Sequence, residues 1–114
     1  MKGLGLKGVV RSRVAYIWAR KPTAGSYTPS SLDRYTSSGG RITVRHLDTG
    51  RYDVTFAGMP RGGGAQVTAV SSAARRVCTI AGITTVASPA RVKVSCFDGS
   101  GAPSDTRYTL AYTR

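Results

Sequence analysis

The chain has 114 residues, with 17 Lys and Arg against five Asp and a net charge of +12; that length supports one domain. A hydrophobic content of 40% excludes a disordered basic tail, and the longest apolar run, Val14 to Ala19, is far short of the ~20 residues that cross a membrane as a helix. Glu and Asn are absent and Leu and Lys are few, so the composition favours strands and turns over helices.

Residues 1–8, MKGLGLKG, read as a flexible arm ahead of a single domain spanning residues 9–114. Gly3, Gly5 and Gly8 have the spacing of a dinucleotide-binding loop, but no strand precedes them and a strand follows, so no cofactor is expected. Leu4, Leu6, Val9 and Val10 instead offer apolar contacts by which the arm would add itself to a neighbouring copy. From Arg11 the chain alternates, with Val10, Ser12, Val14, Tyr16 and Trp18 on one face and Arg11, Arg13, Ala15, Ile17 and Ala19 on the other. That period of two marks a strand, and Trp18, the only tryptophan, is expected to anchor the core. Pro22, Gly25 and Pro29 then end the strand in an irregular connection.

A short strand is expected over Leu32 to Thr36, closed by Ser37-Ser38-Gly39-Gly40. Arg41 to Leu47 and Arg51 to Phe56 form a hairpin about Asp48-Thr49-Gly50, with Ile42, Val44, His46, Tyr52, Val54 and Phe56 inward. Ala57 to Gly64 is a loop; its Arg61-Gly62-Gly63 is one copy of a triplet that binds RNA as repeats, and one copy is ordinary loop chemistry. Further strands are expected over residues 65–70, 76–81, 90–97 and 106–113. In the last two, Val92, Val94, Cys96, Tyr108, Leu110 and Tyr112 point inward. Seven or eight short strands without a helix predict an all-β fold, a small antiparallel β-sandwich of Ig-like or Greek-key type or a barrel. The terminal YTLAYTR echoes VAYIWAR and suggests that the first and last strands are neighbours.

Cys78 and Cys96 are an even pair in a small, turn-rich chain without CxxC spacing. They predict a disulfide rather than a metal site, and hence a secreted or cell-surface protein. Arg11 and Arg13 interrupt any hydrophobic region at the N-terminus, so the chain reads either as cytoplasmic or virion-associated, or as the mature part of an exported protein.

The run AYIWARKPTAGSYTPS, with Gly50-Arg51-Tyr52-Asp53-Val54-Thr55-Phe56 and Arg91-Val92-Lys93-Val94-Ser95-Cys96-Phe97, resembles a module found in exported actinobacterial proteins, alone or in tandem. The matching residues are Ala15, Tyr16, Trp18, Pro22, Ser26, Tyr27, Pro29, Cys78 and Cys96. The resemblance implies export and a disulfide-bearing unit, and it brings no catalytic or binding residues.

No catalytic constellation is visible. His46 is the only histidine and lies on an inward face; a triad would also need a nucleophile and an orienting carboxylate, and no GxSxG elbow is present. The Asp residues mark turns or strand partners. The cations are more informative, because Arg11, Arg13, Arg41, Arg45, Arg51, Arg91, Lys93 and Arg107 fall opposite the apolar alternation. On one sheet they would form a cationic face able to track a phosphate backbone or an anionic wall polymer, with Tyr27 and Tyr35 available for stacking. The bland alternative is a GC-rich coding sequence that raises Arg everywhere. Three functions follow: a non-enzymatic exported structural or binding module that self-assembles, a basic polyanion- or nucleic-acid-binding protein, and an inhibitor of a secreted hydrolase.

Overall fold

The computed structural model describes residues 13–72, 74–84 and 88–114; the arm, with Leu4, Leu6, Val9, Val10 and Arg11, lies outside the described residues. These residues form nine strands: β1 (Val14–Ala19), β2 (Ser26–Tyr27), β3 (Arg34–Thr36), β4 (Ile42–Asp48), β5 (Arg51–Phe56), β6 (Gly64–Val70), β7 (Arg76–Ile83), β8 (Ala90–Asp98) and β9 (Arg107–Thr113). One 3-10 turn, Ser31–Asp33, takes the first part of the expected strand over 32–36. The strands make two antiparallel sheets, one of four in the order β3-β1-β9-β6 and one of five in the order β2-β4-β5-β8-β7. They pack as a small β-sandwich, and β1 and β9 are neighbours paired from Val14↔Thr113 to Ala19↔Tyr108.

The core comes from alternate residues of both sheets. Ile42, Val44, Tyr52, Val54, Phe56, Val92, Val94 and Cys96 are buried from the five-stranded sheet, and Ala15, Ile17, Ala19, Tyr108, Leu110 and Tyr112 from the other. Phe56 stacks on Tyr112 with centroids 5.6 Å apart, and Tyr52 meets Tyr108 at 5.2 Å. Offset and tilted ring pairs of this kind add to the area they bury.

Trp18 is not the core anchor. It belongs with Val14 and Tyr16 on the outer face, while Ala15, Ile17 and Ala19 point inward. The cross-strand register gives the reason. Tyr112 lies between Ala15 and Ala65, and Tyr108 between Ala19 and Ala69. Two large rings on the central strand fill the interior, so the strands beside them can contribute only small side chains at those levels.

The tyrosines also tether loops. The Tyr112 hydroxyl donates to the Pro60 carbonyl at 2.7 Å and accepts from the Gly63 N–H at 2.8 Å. A Cβ on Gly63 would lie 2.7 Å from the ring, so glycine is required by this close approach.

Candidate functional site

On the outer face of the five-stranded sheet, three adjacent strands present cations in register. Arg45 on β4 is opposite Asp53 on β5, and Asp53 is opposite Lys93 on β8. Arg51 and Arg91 share this face by the same two-residue period, and Arg41 precedes β4 in phase with Thr43 and Arg45. With strands about 4.8 Å apart, Arg45 and Lys93 are roughly 10 Å apart across the face, and Arg91 and Lys93 roughly 7 Å along β8. Five of the cations singled out in the sequence therefore come together. Arg13 and Arg107 do not: both are exposed but belong to the four-stranded sheet, at or beside β1 and β9.

Asp53 sits in the middle of this face and is only 5% exposed. Its Oδ2 pairs with Arg91 Nε at 3.7 Å, while Oδ1 is buried without a hydrogen-bond partner. Like charges facing each other on adjacent strands repel, and Asp53 separates Arg45 from Lys93. Beside Arg91 and Lys93 the edge strand β7 bulges between Ile80 and Gly82. The bulge opens a hollow of about 350 Å³ lined by Ala81, Gly82, Ile83, Thr84, Arg91 and Lys93. A side chain on Gly82 would meet nothing within 4 Å, so the hollow is open to solvent above that position.

Cys78 and Cys96 are bonded, directly opposite each other on β7 and β8. The bond fixes the edge strand that forms the hollow. A loop of 18 positions closed in this way corresponds to about 3 kcal/mol in the chain-entropy account.

The stretch after β1 builds a second feature. Arg20 stacks over the Trp18 ring at 3.5 Å and pairs with Asp33 at 2.9 Å. With Tyr27 and Pro29 they line a cleft of about 290 Å³. Burial raises the Tyr27 hydroxyl pKa, and the neutral group accepts a hydrogen bond from the Lys21 N–H at 3.4 Å.

His46 has a carboxylate partner that its sequence neighbourhood does not suggest. Its Nε2 is 2.8 Å from Asp105 Oδ1, and the same oxygen accepts from the Gly50 N–H at 2.7 Å and the Tyr52 hydroxyl at 3.3 Å. Burial pushes the Asp105 carboxyl up, but the bonds from Gly50, His46 and Tyr52 outweigh it and hold the group below the usual carboxylate range. The Tyr52 hydroxyl, pushed far above its ordinary value by burial, shares its one proton between Asp105 and the closer Pro22 carbonyl at 2.8 Å, and accepts from the Thr106 N–H. Among the described residues the His46 ring is hydrogen-bonded to Asp105 and to no hydroxyl or thiol. The cluster is a clamp between the β4–β5 hairpin and the connection into β9.

Comparison with family models, with curated proteins and with solved structures finds no match to this chain. Among the described residues no helix is long and apolar enough to cross a membrane, and no group of three or more His, Cys, Asp or Glu could hold a metal ion. The sequence reading missed the burial of Asp53, for which the alternating Arg51-Tyr52-Asp53-Val54 predicts an exposed side chain. It also missed the role of Asp105, a loop residue whose turn-rich neighbours give no sign of its bond to His46.

Proposed function

We propose that this domain is a non-enzymatic, exported binding module that holds an anionic polymer across the outer face of its five-stranded sheet. The observation that supports this reading is the gathering of Arg41, Arg45, Arg51, Arg91 and Lys93 on one face over β4, β5 and β8. Guanidinium groups make bidentate contacts with phosphate, sulfate and carboxylate, and cations spaced at strand intervals can follow a repeating anion. The hollow at Gly82 gives one anionic group a seat below the level of the side chains. The Cys78–Cys96 bond is compatible with an oxidising compartment outside the cytoplasm. Among the described residues no α-helix stands on this face to enter a groove, and recognition is read as resting on charge and spacing.

Binding of heparin and of duplex DNA, measured against salt, tests the reading. Affinity should fall steeply as salt rises, with a log–log slope of about −0.9 for each phosphate contacted on the duplex. The triple variant Arg45→Glu, Arg91→Glu, Lys93→Glu should bind at least ~100-fold more weakly at ~50 mM salt. Reversal of Arg13, Arg107 and Arg114 changes the net charge by the same amount away from the face and should have a much smaller effect. Equal losses from the two triple variants, or no binding at low salt, would refute the assignment.

A further inference from the structure

We propose that the cleft beside the end of β1 is a binding site for one acidic sugar residue, a hexuronate of an anionic polysaccharide. The cleft, about 290 Å³ in volume, is walled by Trp18 and by the connection that runs from Arg20 through β2 to the Ser31–Asp33 turn. Arg20, Lys21, Tyr27, Pro29 and Asp33 complete its lining. That volume lies at the small end of ligand sites and suits one ring-sized unit better than a peptide.

The polar groups of the cleft are held in place with bonding capacity to spare. Arg20 stacks over the Trp18 ring at 3.5 Å, and its Nε donates to Asp33 Oδ1 at 2.9 Å. Those two contacts fix the guanidinium plane, while its two Nη groups have no hydrogen-bond partner among the described residues. Asp33 Oδ2 accepts only a long bond, 3.4 Å, from the Ser30 hydroxyl, although a carboxylate has room for about four. Both side chains are reachable, at 49% and 16% exposed. Neighbouring hydroxyls on a ring can accept from the guanidinium edge and donate to the carboxylate, which matches both halves of the pair.

Charge decides that the sugar is acidic. Asp33 is already paired with Arg20, and Lys21 has no carboxylate within ion-pair distance among the described residues. The Lys21 ammonium instead lies 5.6 Å from the centroid of the Tyr27 ring. One cation is therefore left for a carboxylate of the ligand, and Tyr27 and Pro29 supply apolar wall for its ring carbons. A nucleobase would need an open aromatic face, and Arg20 covers the face of Trp18 turned toward it.

Register carries the cleft to the cationic face. Lys93, Asp53, Arg45 and Ser26 lie opposite one another across β8, β5, β4 and β2, and the residue after Ser26 is Tyr27. A polymer crossing the strands along that row meets the cleft where it leaves the sheet. This continuity rests on the polyanion reading; the cleft itself does not.

Trp18 is the only tryptophan, so its fluorescence reports directly from the cleft. Trigalacturonate titrated into the full chain at about 150 mM salt, where the Debye length is about 8 Å, should shift the emission saturably. Neutral galactotriose should bind at least about tenfold more weakly, for want of a charge to meet Lys21. Lys21→Ala and Asp33→Ala should each weaken trigalacturonate by about tenfold or more, with strand content by circular dichroism unchanged. Arg91→Ala with Lys93→Ala removes two charges some ~14 Å from β2 and should change it by less than about twofold. If the face variants abolish heparin binding but trigalacturonate leaves Trp18 emission unmoved, the cleft assignment fails alone. If trigalacturonate behaves as expected while heparin ignores the face variants, the cleft stands and the face reading fails. Equal affinity for the neutral sugar, tighter binding after Asp33→Ala, or a thymidine oligonucleotide that outcompetes trigalacturonate at Trp18 would also overturn the proposal.

Discussion

The two outer faces of this sandwich are built over one shared core, yet one gathers five cations at strand spacing while the other carries Arg20 and Arg107 at one end. On β4, β5 and β8 the positions alternating with the core are Arg45, Arg51, Arg91 and Lys93; on β6 and β9 they are chiefly Thr, Ala, Gly and Gln. An Arg-rich coding bias would scatter guanidinium groups over both faces alike. Segregation instead concentrates like charges at strand spacing, which costs stability. The crowded sheet is also the one that carries the buried anion Asp53 and the disulfide. The contrast is what the proposed binding face requires.

The two sides of β1 provide the sharpest mutational test, because neighbouring residues belong to different worlds. Ile17 is wholly buried between the sheets, and Trp18 is partly exposed under Arg20. Ile17→Ala should cost about 2–5 kcal/mol by opening a cavity in a closed interior. Trp18→Ala should cost only about 1–2 kcal/mol, the loss of a partly buried ring and its cation–π contact. Urea melts of the two variants check this. If Trp18→Ala proves the more damaging, the assignment of the two faces of β1 is inverted.

That inversion is where reading from residues alone fails. The alternation over Val14 to Ala19 identifies a strand and its two faces but not which face is inside. Size suggests Tyr16 and Trp18, and the answer depends on Tyr108 and Tyr112 arriving from the far end of the chain to fill the space beside Ala15 and Ala19. Where polar residues alternate with large apolar ones, as in Arg51 to Phe56, the local pattern suffices, and Tyr52, Val54 and Phe56 are inward as expected. The cationic face was legible in part: alternation placed Arg45, Arg51, Arg91, Lys93 and Arg107 outward but set Arg13 in phase with the buried Ala15 and Ile17, while strand order decided that Arg45, Arg51, Arg91 and Lys93 share a sheet and Arg107 does not. The clamp of His46 with Asp105 joins residues 59 positions apart, and no local pattern encodes it.

Asp53 sharpens the comparison from inside the cationic face. Asp53→Asn keeps the side-chain shape but removes the negative charge from among Arg45, Arg91 and Lys93. Folding stability should fall by about 1 kcal/mol as the cations lose their counter-charge, while affinity for heparin rises several-fold because no carboxylate opposes the incoming anion. Thermal melts and a binding isotherm on the same sample read both quantities. Opposite signs are the signature of a face that trades stability for binding; a fall in both would mark Asp53 as a packing residue only.

The smallest expected effect concerns a site on neither face. Asp105 ties the five-stranded hairpin to the chain as it crosses into the four-stranded sheet, through Gly50, His46 and Tyr52. Its carboxyl titrates below its unfolded value of 3.8, so the ionised form is favoured by folding. The contribution is fully present above the unfolded pKa and is lost as pH falls through the depressed folded one. In Asp105→Asn, which retains one acceptor but no charge, the stability deficit relative to the wild type should therefore be about 1 kcal/mol near neutral pH, after screening of this partly exposed group. The deficit should shrink as pH drops below about 4 and vanish in stronger acid. Denaturant melts of both proteins across that range give the difference directly. A deficit that stays constant into acid would mean that the carboxylate charge contributes nothing, and that the clamp holds the two sheets together by hydrogen-bond geometry alone.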